Sequence, residues 1–227
     1  YCMPKEVFDK AYKFLPHGSL LSFEEITRLA RLFVDLGTEK IRITGGEPLL
    51  RHELPGLIER LAAIPGLQDL TLTTNGFLLA KQARALAEAG LHRVTVSLDS
   101  DDPAIFRQMS GRDFGPERVF EGIEAAAEAG LTPIKINCVV QGGVNDDGFV
   151  KLAERFRGTG HVLRFIEYMD VGTSNAWRLD EVVPGAEIVE RIHVAMPLEP
   201  VDSKYPGEVA RRWRYADGEG EIGVISS

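Results

Sequence analysis

The sequence predicts an α/β fold of repeated strand–helix units around a parallel sheet, with a β-hairpin near its C-terminus. Three observations carry this. Short apolar runs alternate with amphipathic helical patterns along most of the chain. Ala89-Gly90-Leu91 and Ala129-Gly130-Leu131 are the same helix stop, each feeding a strand pattern. The 227 residues are enough for one sizeable core, yet fewer than the about 250 of a closed (β/α)8 barrel.

The elements follow in order. Ser22-Phe23-Glu24-Glu25 is a capping box, and Ile26, Leu29, Ala30, Phe33 and Val34 behind it recur at helical spacing up to a stop at Gly37. Lys40 to Thr44 reads as the first strand. A helix carrying Leu54, Leu57, Ile58 and Leu61 ends at Pro65-Gly66. Asp69 to Thr74 is the second strand, closed by Asn75-Gly76; Leu79 to Ala89 is a helix, and Arg93 to Leu98 the third strand. A short helix lies near Ile105 and Phe106. Glu117 to Ala129 is helical, Pro133 to Val140 a strand, Asp146 to Arg157 helical, and Val162 to Tyr168 the fifth strand. Glu208 to Tyr215 and Glu221 to Ile225 pair as a hairpin around Asp217-Gly218.

In parallel βα folds ligands collect at the carboxyl ends of the strands. The unusual residues fall there: Gly45-Gly46-Glu47, then Thr73, Thr74 and Asn75, then Ser97 and Asp99, Lys135 and Asn137 on the fourth strand, and Glu167 to Asp170 ending the fifth. Thr44-Gly45-Gly46-Glu47-Pro48 is the most informative of these phrases. Its glycine pair lets backbone approach a ligand, and Glu47 sets a carboxylate beside it, suited to a zwitterionic or cationic small molecule. Each residue also has a plainer role open to it. The phrase itself serves as a strand-to-helix turn, Thr73 and Asn75 as turn closers, Ser97 as a rim hydroxyl, Met169 as core and Arg42 as a solvated strand residue.

Net charge is −8, which disfavours a sequence-independent nucleic-acid binder but leaves room for a nucleotide pocket. No apolar run approaches the roughly 18 residues of a membrane span, and no signal peptide is visible, so the cytoplasm is the expected compartment. Two cysteines are too few for a disulfide framework. Cys138, in an apolar run, reads as a small buried hydrophobe. The five histidines are scattered, without the spacing of a zinc or non-haem iron site.

Tyr1-Cys2-Met3-Pro4 followed by Thr44-Gly45-Gly46-Glu47-Pro48 resembles the radical S-adenosylmethionine (SAM) superfamily. Further phrases narrow the match: Leu72-Thr73-Thr74-Asn75-Gly76, Val96-Ser97-Leu98-Asp99-Ser100, Ile134-Lys135-Ile136-Asn137, Arg164 to Gly172, and Gly223-Val224-Ile225-Ser226-Ser227. In that order they are similar to the GTP 3′,8-cyclase family of molybdenum cofactor biosynthesis, from the first residue to the last. The resemblance implies an open, TIM-like partial (β/α)6 barrel. Its first strand, which precedes the cysteine loop, is missing here, so the five strands above are the second to the sixth. It divides the chain into a barrel core, residues 1–172, and the start of a C-terminal extension, 173–227.

It also implies roles. Cys2 resembles the third cysteine of a C-x-x-x-C-x-x-C loop holding a [4Fe–4S] cluster. Tyr1, Gly46, Ser97 and Met169 match positions lining SAM, with Glu47 facing its amino group. Arg42, Thr73 and Lys135 match positions binding GTP. The implied chemistry passes an electron from the reduced cluster to SAM, which splits into methionine and a 5′-deoxyadenosyl radical. That radical takes the hydrogen from C3′ of GTP, C3′ bonds to C8 of guanine, and 3′,8-cyclo-7,8-dihydro-GTP results. Implied partners are GTP, an electron donor and the next enzyme of molybdopterin synthesis, with no nucleic acid and no membrane; a homodimer is one state open to it.

The family carries two cysteines before the position of Tyr1, and three more, for a second cluster, after that of Ser227. The expectation is a fragment cut at both ends, inactive by itself and poorly soluble because Lys40 to Thr44 lies at an open edge. Asp101, Ser110 and Gly142 depart from the usual family residues. Two other functions stay open: a different radical SAM enzyme, such as a peptide-modifying one, and a degenerate, non-catalytic SAM- or nucleotide-binding domain.

Overall fold

The computed structural model describes residues 12, 15–169, 171, 177–203 and 207–226. In chain order its elements are α1 (Phe23–Asp35), β1 (Lys40–Ile43), α2 (Leu54–Ala62), β2 (Asp69–Thr74), α3 (Leu79–Glu88), β3 (Arg93–Ser97), α4 (Pro103–Ser110) and α5 (Glu117–Glu128). Then come β4 (Lys135–Val140), α6 (Phe149–Phe156), β5 (Val162–Glu167), α7 (Gly185–Ala195), β6 (Leu198–Val201), β7 (Arg211–Tyr215) and β8 (Glu221–Ile225). They divide into two compact units. The first comprises Lys10–Val96 and Arg118–Ile134; the second includes Ser97–Glu117 and Lys135–Ser227.

In the first unit β1, β2 and β3 pair in parallel, with Ile41 opposite Leu70 and Leu72 opposite Val94. Leu70 and Leu72 are fully buried, as are Ile58, Leu61, Leu79 and Leu86 of the helices. The helices form where the capping and spacing place them. Glu25 N–H donates to Ser22 Oγ (3.2 Å) and Ser22 N–H donates to Glu25 Oε2 (2.8 Å), closing the predicted capping box of α1. Gly122 of α5 lies against the turn after β2. A Cβ there would sit 2.8 Å from the Gly76 carbonyl oxygen, so only glycine permits this approach. Gly76 itself has φ +80°, the left-handed turn expected of Asn75-Gly76.

The predicted core face of α1 is only partly used. Ala30 is buried, but Leu29 is 38% and Phe33 59% exposed, and Leu36 beyond the helix is 84% exposed. Among the described residues α1 packs on α2 and β1 pairs with β2 alone, so the outer half of the helix has no cover.

In the second unit β4 and β5 pair in parallel, and the hairpin does more than close on itself. β8 runs parallel to β5, with Phe165 opposite Val224, and antiparallel to β7, with Trp213 opposite Ile222. β7 pairs antiparallel with β6, which the sequence pattern did not reveal, as it did not reveal α7. Leu198-Glu199-Pro200-Val201 is short and contains a proline, which hides a strand but suits a sheet edge. The core centres on Phe149 and Phe165, packed edge to face at 5.5 Å, with Ile136, Cys138 and Val224. Among the described residues no helix is long and apolar enough to cross a membrane.

Candidate functional site

The first unit ends its strands in a charged joint. Glu47 follows the exposed Gly45-Gly46 turn, where a Cβ on either glycine would meet only open space. Its Oε1 accepts hydrogen bonds from Leu49 N–H (3.1 Å) and the Thr74 hydroxyl (2.7 Å), and its Oε2 from Asn75 N–H (2.8 Å). Thr74 Oγ1 in turn accepts Gly76 N–H at 3.1 Å. One carboxylate thus ties the turn after β1 to the end of β2 and caps the short 3-10 turn Pro48–Leu50. A carboxylate has about four acceptor sites, so three bonds leave room for one more donor.

Arg42 is exposed on β1, and Thr73 is half-buried on β2. The register sets Arg42 opposite Thr71, two residues before Thr73, so Arg42 and Thr73 share one sheet face. That face is opposite the one bearing Leu70 and Leu72. Thr73 Oγ1 is buried without a hydrogen-bond partner, an unusual state for a hydroxyl.

The second unit repeats the pattern with other residues. Lys135 and Asn137 are half-buried on one face of β4, while Ile136, Cys138 and Val140 are buried on the other. Asn137 Oδ1 is buried and has no partner. Opposite Asn137 on β5 stands Arg164, itself buried. Gly223 of β8 makes room for Arg164, since a Cβ there would lie 3.1 Å from Arg164 Cγ. Asn137 stands among the polar residues that the sequence placed at the strand ends, without a role of its own; Arg164 was not singled out, and its place opposite Asn137 follows from the register of β5, which only the structure supplies.

Ser97, half-buried at the end of β3, is followed at once by Leu98, whose N–H donates to the Asn137 carbonyl (2.8 Å). Asp99 Oδ1 accepts Val139 N–H at 2.8 Å. Burial pushes the Asp99 carboxyl above its ordinary range, the Val139 bond acting the other way. Cys138 is fully buried, and burial together with the nearby Asp99 holds its thiol well above the usual value. It is a core residue, as read from the sequence, with no thiolate to offer a metal.

Met169 is half-buried just past β5, and Trp177 Nε1–H donates to the Tyr168 carbonyl beside it (3.1 Å). Glu167 turns to the opposite face, where its Oε1 accepts Gly185 N–H and caps α7. It is a capping residue here and not a member of the ligand-facing row. Gly142 lies against the backbone of Glu181: its N–H donates to the Glu181 carbonyl at 2.8 Å, and a Cβ would come within 3.2 Å of that oxygen. Tyr1 and Cys2 lie outside the described residues. Among the described residues no group of three or more His, Cys, Asp or Glu gathers at metal-binding distance.

These observations fit a polar ligand. Two orphaned buried polar atoms lie on strand faces that also carry Arg42 or Lys135, and an open glycine turn stands beside an anchored carboxylate. The chain's two cysteines, one of them buried and protonated, do not make a three-thiolate set.

Comparison with known proteins identifies the family and the fold. Residues 1–156 match the family model described as Radical SAM superfamily, and residues 161–227 match Molybdenum Cofactor Synthesis C. The chain is 55% identical over 227 residues to the GTP 3′,8-cyclase of Acidothermus cellulolyticus, covering all of this chain and 63% of that protein. It is 56% identical to the GTP 3′,8-cyclase of Xanthomonas campestris pv. campestris, covering all of this chain and 67% of that one. The chain therefore spans about two thirds of the length of these curated relatives. Among solved structures it is similar to Streptococcus suis SuiB bound to S-adenosylmethionine, with TM-score 0.69 and 15% identity over 96% of this chain and 45% of that one. This likeness shows the fold, the partial barrel expected above, here with a mixed sheet that includes antiparallel strands near the C-terminus. The chain belongs to the radical SAM superfamily and, within it, to the GTP 3′,8-cyclase family.

Proposed function

We propose that this chain provides the SAM- and GTP-binding strands of an enzyme that cyclises GTP to 3′,8-cyclo-7,8-dihydro-GTP in molybdenum cofactor biosynthesis. The observation that carries the reading is the match between motif and geometry. Each strand face that bears a cation assigned to GTP, Arg42 or Lys135, also bears a buried polar atom without a partner, Thr73 Oγ1 or Asn137 Oδ1. Buried polar atoms are costly unless something bonds them, and a nucleotide supplies both donors and acceptors.

SAM with a reduced [4Fe–4S] cluster, when bound, supplies the radical that removes hydrogen from C3′ of the ribose. The chain's own residues bind and orient. Arg42 and Lys135 offset phosphate charge, and Thr73 takes a polar atom of the nucleotide. Toward SAM, Gly46 offers open backbone, Ser97 a hydroxyl, Met169 an apolar side chain and Tyr1 an aromatic ring. Glu47, with its one spare acceptor site, receives the amino group of SAM. Cys2 contributes a single thiolate, so cluster assembly needs further cysteines. An electron donor and a following enzyme that consumes the cyclic nucleotide complete the set of partners.

The test begins with the DNA flanking this coding region. The reading expects in-frame cysteines two and six residues before Tyr1, and a cysteine cluster soon after Ser227. The protein of the complete reading frame, reconstituted without oxygen, should then form 5′-deoxyadenosine and the cyclic nucleotide from SAM and GTP. The 227 residues alone should form neither. Absence of those cysteines from the native gene, or turnover by the bare chain, would overturn the reading.

A further inference from the structure

We infer that Asn145 is a positioning residue for the Ser97 corner of the ligand site, acting through Asp99. The inference takes the role of Ser97 from the proposed function; the geometry of the corner stands without it. Asn145 lies in the turn after β4, 1% exposed, and uses every polar atom of its side chain. Its Nδ2 donates to the Asp99 carbonyl and to the Val139 carbonyl, both at 2.7 Å. Its Oδ1 accepts Gln141 N–H at 2.8 Å.

A turn asparagine needs only the last of these bonds, the local one that closes its own loop. The bond to Asp99 reaches 46 residues back along the chain and serves nothing in the turn. It adds instead to two others at the same place. Asp99 Oδ1 holds Val139 N–H, and Leu98 N–H holds the Asn137 carbonyl. The two residues after Ser97 are thereby fastened to β4 by backbone, carboxylate and amide together. Leu98, fully buried, adds an apolar anchor. The Ser97 hydroxyl stands one residue from this knot, so its place at the strand end is set by how firmly the knot holds.

Two measurements on Asn145→Ala test this. The first is amide hydrogen exchange in the 227-residue chain, with Phe165 of β5 as the reference amide. Exchange at Leu98 and Val139 should rise at least about tenfold relative to Phe165, because bonds that close the corner have been removed. The second is SAM affinity of the reconstituted complete protein, measured in a cycle with Ser97→Ala. Asn145→Ala should weaken SAM about tenfold when Ser97 is present, and less than about twofold when it is already alanine.

Unchanged relative exchange at Leu98, or losses that simply add, would overturn the inference, since a merely structural residue weakens both backgrounds alike. If the parent protein binds no SAM while Leu98 exchange still rises, the proposed function fails and the corner assignment stands. If Asn145→Ala does not fold, Asn145→Ser, which keeps one donor, goes through the same two measurements with the same outcomes.

Discussion

The two units meet the same requirement, holding the carboxyl ends of adjacent segments in place, with opposite chemistry. In the first unit the joint is the Glu47 carboxylate, half-buried, accepting three part-buried bonds. In the second it is the Asn145 amide, buried, donating two bonds and accepting one. A charge is tolerable where water reaches it, while a fully enclosed joint favours a neutral group whose every atom is matched. The outer edges differ as well. Among the described residues β1 ends the first unit beside the exposed Leu29, Phe33 and Leu36, whereas β6 ends the second with Pro200 and the Glu199–Arg214 ion pair at 2.7 Å. A sheet edge guarded by proline and charge resists further pairing; in the first unit β1 also bears charge, on Lys40 and Arg42, and the exposed apolar surface that invites association belongs to α1 and Leu36.

The largest effect that sharpens this comparison should come from the buried joint. Asn145→Ala leaves two carbonyls and one N–H without their partner where water enters poorly, and should cost about 3 kcal/mol in urea unfolding. Glu47→Ala removes as many bonds but opens the joint to solvent, so about 1.5 kcal/mol is expected from the same measurement. Equal losses would break the idea that burial sets the difference. Under the role proposed for Glu47 toward SAM, activity of the complete protein should reverse the order.

The pH dependence offers a smaller effect. Burial raises the Asp99 carboxyl, so the folded state binds its proton more tightly than the unfolded chain does. Its contribution to stability therefore falls as pH rises from the ordinary carboxylate value to the raised one, and stays lost above it. Asp99→Asn keeps an acceptor for Val139 N–H without the charge. It should flatten this slope and raise the melting temperature at pH 8 relative to the parent; a lower melting temperature at that pH would count against the assignment.

The smallest effect on stability belongs to the open edge. Phe33→Glu with Leu36→Lys should change unfolding by less than about 0.5 kcal/mol, because both side chains are mostly exposed already. Self-association of the 227-residue chain, followed by light scattering, should fall clearly in this variant. A parent chain that is monodisperse from the start would remove the distinction between the two edges.

Much of this molecule was legible in its residues. The capping box at Ser22, the strand runs and the glycine stops fixed where β1 to β5 begin and end to within a residue or two, because local propensity and periodicity act over short stretches. The motif phrases, from Gly45-Gly46 to Ser97, fall at the ends of strands as expected and identified the family. What remained hidden depended on partners distant in sequence. β6 and the pairing of β8 with β5 arise from a register no local pattern encodes, and the apolar face of α1 looks core-like until the exposure of Leu29 and Phe33 is seen. Only the fold showed that Glu167 caps α7, that Gly142 admits the Glu181 backbone and that Arg164 lies opposite Asn137. Asn145 looked like an ordinary turn residue. Its bond to Asp99 joins groups 46 residues apart, and sequence alone cannot state such a contact, because a hydrogen bond is decided by distance and direction in space.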